Sequence, residues 1–432
     1  MAEVGAVVTQ VREREQRANP FREVLRRPGA LRFSAAAFLG RMPMSMFSLG
    51  TVLLIASVTG KYGLAGVVVA AGSVGYAVFT TQAARLADRF GQRRVLRPMV
   101  VFFAAATIAL IACAELRAPL WTMVAAGGLA GVSMPSLSSM VRARWSALLG
   151  DSPLLHTAFA LESILDETIF VIGPALVTVL ATEVQPATGV AVAMCACVTG
   201  TLLFAAQRRT EPVAERAPRG SAGSAARGPA AGAKRAARLP APGLVTAAPV
   251  YFCLGVMFST IDLSTVAFAQ QHGHKPLAGF ILGAYALGSA VGGVCYGSRT
   301  WRAPVYRRFT LTLCAVSLGT ATFWAMPGLA ALAAVIFCSG LGIAPTAIAG
   351  VSLIEQQAPA GRRTEGMAWL TSAISVGVAA GSAVAGHLID TGGARSGYVF
   401  AAACGGAALA VCLLGQRWLR RPAGAQWADA RE

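Results

Sequence analysis

Long apolar stretches recur almost end to end through these 432 residues. Most run to about 17–29 residues, enough to cross a hydrocarbon core about 30 Å thick at about 1.5 Å per residue. Only 13% of the chain is charged, against roughly 25% in soluble domains. The hydropathy pattern places spans at 31–59, 62–84, 98–113, 119–141, 155–181 and 187–206, then at 243–270, 276–298, 309–325, 328–357, 365–389 and 395–414. The expected fold class is therefore an all-α membrane protein of twelve transmembrane helices.

A formal charge of +18 would suit a nucleic-acid binder, so the positions of the basic residues have to decide. With both termini on one side of the membrane, 32 Lys and Arg fall on that side and four (Lys61, Arg117, Lys275, Arg395) on the other. Arg41, inside the first span, is the remaining one. By the positive-inside rule both termini are expected in the cytoplasm of a cell whose inner membrane holds the chain. The basic excess is thus topological, facing membrane lipid, and no nucleic-acid partner is expected.

All nine cysteines fall in predicted spans, where they read as small apolar packing residues, and neither disulfide nor metal is expected from them. The first thirty residues mix Glu with Arg and precede a span too long for a signal-peptide core, so no cleaved signal is expected. His272-Gly273-His274, in a far-side loop, lacks the further ligands a metal site requires.

The expected organisation is an N-terminal segment (1–30), a six-helix bundle (31–206), a disordered basic linker (207–242) rich in Ala, Arg, Gly and Pro, a second six-helix bundle (243–418) and a tail (419–432). The two halves repeat weakly. Leu39-Gly40-Arg41-Met42 matches Leu254-Gly255-Val256-Met257, and Ala65-Gly66, Gly75 and Ala84 match Ala278-Gly279, Gly288 and Gly297; Pro135 pairs with Pro345. Small residues at matched positions let membrane helices approach closely. Their order across several spans points to a duplicated transporter with its site between the halves.

Between spans two and three stands Ala84-Arg85-Leu86-Ala87-Asp88-Arg89-Phe90-Gly91-Gln92-Arg93-Arg94-Val95-Leu96. This resembles the loop of the major facilitator superfamily, G-x-L-a-D-r-x-G-r-k-x-x-l. Here Ala84 replaces the leading glycine, and the basic pair is displaced by one, to Arg93 and Arg94. A short turn needs Gly91, and an acid among bases can pair with them or face a helix N-terminus. The resemblance implies that Asp88, with Arg89, helps close the cytoplasmic side against the start of span eleven, near 365–368. It also implies a monomer of two pseudo-symmetric six-helix bundles. The equivalent second-half loop, Gly297-Ser298-Arg299-Thr300-Trp301-Arg302, has no acid, with Trp301 in its place.

Span five carries Glu162, Asp166 and Glu167 within six residues. Each mid-membrane charge costs roughly 2.5–3.5 kcal/mol on insertion scales, so three need an explanation. At about 100° per residue, Glu162, Asp166 and Gly173 share one face, while Glu167 lies about 140° around from Glu162. Arg41 lies at a depth that the two acids bracket, so an ion pair of Arg41 with Glu162 or Asp166 is expected, beside a kink at Pro43. The remaining acids have no evident basic partner in the first half. They are candidates for proton uptake and release, with Asp166 ahead of Glu167, against a static network orienting spans one and five.

Gly173-Pro174 resembles the core of the superfamily's antiporter motif, G-x-x-x-G-P-x-x-G-G, although Ile169, Val177 and Thr178 depart from it. The resemblance is thus to drug/proton antiporters. In span seven, Asp262 either lines the cavity or caps a polar outer vestibule, and Glu355 in span ten is expected to be an interfacial gate or salt bridge.

The function expected is a secondary transporter working by alternating access, exporting a small organic molecule such as a drug or secondary metabolite, with the proton gradient as energy source and no cofactor. Uptake of a nutrient by symport would suit the same acids. A nontransporting receptor is disfavoured by the short tails, and an enzyme by the lack of a nucleophile-base set or phosphate loop.

Overall fold

The computed structural model describes residues 20–150, 152, 154–212, 242–299, 301–357 and 363–420, with the side chains of 20, 242, 244, 355, 357 and 363–368 left out. Residues 1–19, linker residues 213–241, tail residues 421–432 and the side chains of Glu355 and 365–368 lie outside the described residues.

The first half holds α1 (Ala30–Arg41 and Pro43–Thr59), α2 (Tyr62–Phe90), α3 (Gln92–Glu115), α4 (Leu120–Ser133 and Leu137–Leu149), α5 (Leu154–Val179, ending in a π turn over Leu180–Val184) and α6 (Thr188–Ala206). The second holds α7 (Pro242–Gln271), α8 (Leu277–Gly297), α9 (Val305–Thr320), α10 (Leu329–Gly340 and Ile343–Gln357), and one helical run, Arg363–Leu414, that contains α11 and α12. That run continues for 46 residues from Trp369 to Leu414, about 69 Å of helix and more than twice the hydrocarbon core. It turns back at Gly393, where φ is 75° and ψ −177°, so 363–392 is α11 and 394–414 is α12. Val305–Thr320, at 16 residues, is a shorter span followed by a 3-10 turn over Phe323–Ala325. With α9 counted and the last run divided, the fold is twelve helices in two six-helix bundles.

Several sequence boundaries shift for identifiable reasons. α1 breaks at Met42 because Pro43 begins its second segment and supplies no amide to the first. The Asp88 motif is less a loop than the end of one helix and the start of the next: α2 runs to Phe90, Gly91 alone departs from helix at φ 91°, and α3 begins at Gln92 and passes through Pro98. Only glycine takes that φ without strain. The paired prolines Pro135 and Pro345 mark breaks in the fourth helix of each half, at 134–136 and 341–342. The start of the linker is also ordered, contrary to the expectation of disorder from 207. Arg208–Thr210 forms a 3-10 turn, Thr210 Oγ1 accepts a hydrogen bond from Arg144 at 3.1 Å, and Glu211 Oε1 accepts one from the Arg93 amide at 2.9 Å.

The halves meet along two seams, α2 with α11 and α5 with α8. At both, glycine brings backbones into contact at the end away from the termini. A Cβ on Gly66 would lie 2.0 Å from the Ser382 carbonyl oxygen, and one on Gly279 2.1 Å from that of Pro174. Within the first half, α1 and α6 approach as closely. A Cβ on Gly200 would lie 2.1 Å from the Gly40 amide nitrogen and 2.6 Å from the Ala36 carbonyl oxygen. Gly200→Val is therefore expected to destabilise the first half by about 1–3 kcal/mol, as overpacking does. Thermal unfolding in detergent should show a lower melting temperature, and unchanged melting would contradict this contact.

Candidate functional site

The expected pairing of Arg41 with one acid resolves into contacts with both. Arg41 Nη2 meets Glu162 Oε2 at 2.5 Å, Nη1 meets Asp166 Oδ1 at 2.7 Å, and Nε donates to the Ala37 carbonyl at 3.0 Å. The other carboxylate oxygen of Glu162 accepts from Ser34 Oγ at 2.6 Å and from Trp145 Nε1 at 2.8 Å. Arg41 is 1% exposed and Glu162 fully buried. Desolvating charge is costly unless the partners are well placed, and here both groups have several.

Asp166 differs. Its side chain is 20% exposed, and its second oxygen lies 3.5 Å from Arg142 Nη2. Arg142 is a second basic partner, and of the three clustered acids Glu167 alone is left without a counter-ion among the described residues. Hydropathy ends span four at Val141 and leaves Arg142 in the loop that follows, where it merely adds to the positive side. The chain instead resumes helix after the Pro135 break, and Leu137–Leu149 brings Arg142 and Trp145, three residues apart on one face, against α5. Two arginines and two carboxylates thus make a neutral cluster.

Helix geometry accounts for the remainder of α5. On the face shared with Glu162 and Asp166, Ile169 accepts a hydrogen bond from Ser45 Oγ at 2.9 Å, and a Cβ on Gly173 would clash with that Oγ. Ser45 follows the Pro43 break by two residues, so the second segment of α1 is tied to α5 just past the ion pairs. Pro174 and Val171 present their carbonyls to Gly279 and Gly283 of α8. Glu167, one turn before Val171, lies on this edge between the halves, half-buried, with neither hydrogen bond nor ion pair among the described residues.

A cavity of about 290 Å³ opens between α1, α2 and α4 of one half and α11 of the other. Pro43, Met44 and Phe47 of α1 form one wall, Val69 and Tyr76 of α2 another, Met134 at the α4 break a third, and Ile374 and Val378 of α11 the fourth. Ser48, Thr51, Ser73, Tyr76 and Ser375 contribute hydroxyls, and none of the lining residues carries a formal charge. The Met42–Pro43 break thus divides α1 in two: Arg41 turns toward the acids of α5, while Pro43 and Met44 line the cavity.

The other predicted residues are more dispersed. Asp262 is half-buried, one turn after Phe258, whose ring meets that of Tyr285 on α8 at 6.4 Å. On the same helix Thr265 meets the Tyr398 hydroxyl at 3.0 Å and Ser259 bonds to its own backbone. Asp88, Arg89 and Arg94 are exposed, while Arg93 is half-buried. The implied closure of Asp88 onto α11 involves side chains outside the described residues. His272 Nδ1 sits 2.9 Å from the Phe268 carbonyl, and no group of three or more metal-ligating side chains occurs among the described residues.

The sequence matches the Major Facilitator Superfamily over residues 33–302 and 247–432. The chain belongs to that superfamily. Solved structures agree in fold. The nucleoside transporter NupG superimposes with a TM-score of 0.65 at 13% identity, covering 90% of this chain and 99% of that one. The POT family transporter PepTSo gives 0.68 at 12% identity, covering 90% and 97%. A bacterial homologue of the iron transporter ferroportin, in an inward-facing state, gives 0.65 at 14%, covering 90% and 99%. No curated protein sequence matches the chain. Family and fold are those of a multi-pass membrane transporter.

The cluster geometry separates its two acids. Glu162→Gln removes a fully buried charge from a pair with Arg41, a change that typically costs about 3–5 kcal/mol. Asp166→Asn, at a partly solvated position with water to compensate, should cost clearly less. Melting curves of the two variants in detergent should rank in that order, and equal losses would contradict the division.

Proposed function

We propose that this protein is a proton-coupled exporter of an uncharged or weakly polar small organic molecule, working by alternating access. The observation that carries the reading is the uncharged, hydroxyl-bearing cavity between the halves, one helix break away from the acid cluster of α5. A pocket lined by Met, Phe, Val, Ile and a few hydroxyls favours ligands that bring apolar surface and hydrogen-bonding groups without formal charge. Charge at such a ligand would lose its hydration with no counter-ion supplied.

Substrate and proton meet through α1. A ligand pressing on Pro43 and Met44 moves the segment that begins at the break, and Ser45 passes this movement to Ile169 of α5. The groups that change protonation are Asp166, partly open to water, and Glu167, at the edge between the halves. Glu162, enclosed by three donors, holds α1 and α5 together. A proton or a substrate shifts the balance of states only by binding them unequally, and acids placed where the halves separate meet that condition. Export agrees with the charge bias that puts the termini in the cytoplasm, since closure at the opposite end leaves the cavity to load from the cell interior. The Gly173-Pro174 resemblance to antiporters points the same way.

Vesicles decide the direction. Inverted vesicles with an acidic lumen should accumulate labelled lipophilic substrate, whereas accumulation confined to right-side-out vesicles would favour symport. Asp166→Asn should abolish the pH-gradient-driven component while the protein still folds; coupling equal to wild type would remove Asp166 from the mechanism.

A further inference from the structure

At the end opposite the termini, one carboxylate crosses from the second half to the first. Asp390 Oδ1 accepts a hydrogen bond from the Tyr62 amide and Oδ2 one from the Gly63 amide, each at 2.7 Å. These are the first two amides of α2, which have no carbonyl partner inside their own helix. The residue before them, Lys61, provides no side-chain cap. The cap comes instead from a residue 328 positions away in sequence, on the last turns of α11 before Gly393.

We propose that Asp390 is the latch of the far-side gate, holding the halves together by capping α2 across the seam and releasing it when that end opens. The local electrostatics favour this arrangement over its alternatives. A carboxylate near the C-terminal end of α11 sits against the negative end of that helix dipole, whereas the start of α2 offers a positive one. The two helices run antiparallel, so the unfavoured end of one lies against the favoured end of the other.

Neighbouring contacts require the same closure. Tyr62 also donates from its hydroxyl to Gln270 Oε1 of α7 at 2.6 Å. A Cβ on Gly386 would lie 2.4 Å from the Tyr62 carbonyl oxygen, and one on Gly63 2.9 Å from Asp390 Oδ2. The bonds therefore form only when the backbones of α2 and α11 are in contact, and are lost once the seam parts. Asp390 is exposed and Gly63 half-buried, so water can reach the carboxylate and replace its partners when the latch opens. An exposed bond that exchanges with water suits a reversible gate better than a buried ion pair, whose rupture would strand charge.

The inference rests on the alternating-access reading, and one experiment separates the two. Spin labels on unnatural amino acids at Leu116 and Trp324, exposed at the far ends of α3 and α9, report the width of that end in the full-length protein in lipid nanodiscs. Wild type should show a major short distance and a minor long one. Asp390→Ala should enrich the long population about tenfold, as loss of about 1.4 kcal/mol of closure does. Asp390→Asn, which keeps the shape but offers one acceptor and no charge, should fall between them. A long population unmoved by either variant overturns the latch, and so does a lower melting temperature with an unmoved distribution. A single wild-type distance at every pH and substrate condition overturns alternating access itself.

Discussion

A buried arginine on the first helix sets the terms for the rest of this structure. Arg41 lies within the membrane span with almost no solvent contact, and an unpaired charge there would be strongly destabilising. Its guanidinium uses its planar fork to bridge Glu162 and Asp166, one turn apart on α5. That geometry fixes the rotation of α5 about its axis. Once Glu162 and Asp166 face α1, Gly173 meets Ser45, and the carbonyls of Val171 and Pro174 are turned toward α8. One ion-pair cluster thus orients both an intra-half contact and a seam between the halves.

The surrounding architecture combines rigid units with surfaces that can separate. Inside the first half, Glu162 is enclosed by Ser34, Arg41 and Trp145, and Phe33 packs edge-on against the Trp145 ring at 4.6 Å. Such a packed cluster resists deformation. Between the halves the contacts are of another kind: backbone against glycine, and a few hydrogen bonds near solvent. Close approach of backbones at small residues leaves few side-chain bonds to break when the two surfaces part. The cavity lies between the rigid units, beside the break where α1 changes role from ion pairing to lining.

Much of this was legible in the sequence because it depends on periodicity and cost. Span length and charge alternation point to twelve helices, and three acids within two turns require a partner, which Arg41 provides at a matching depth. The Asp88 motif carries the resemblance to the superfamily in the sequence alone. Arg142 was not legible, since a helix that breaks at Pro135 and resumes reads in one dimension as a span followed by a loop. Ser34 and Trp145 were missed for the same reason: their bonds to Glu162 connect three helices whose rotations hydropathy leaves open. Asp390 reads as an ordinary loop acid, because its partners are backbone amides and leave no residue signature on α2. Composition places Glu211 in a disordered linker, whereas the first turn after α6 folds back on the Arg93 amide.

On the function proposed, binding in the uncharged cavity and proton movement at the α5 acids are two sides of one equilibrium. This coupling is tested most directly in proteoliposomes with no imposed gradient and a pH-sensitive dye in the lumen. Adding a transported, uncharged substrate outside should drive protons out as substrate enters, in a fixed ratio. Substrate entry with no proton movement would rule out this coupling, and protons entering alongside substrate would replace exchange with symport.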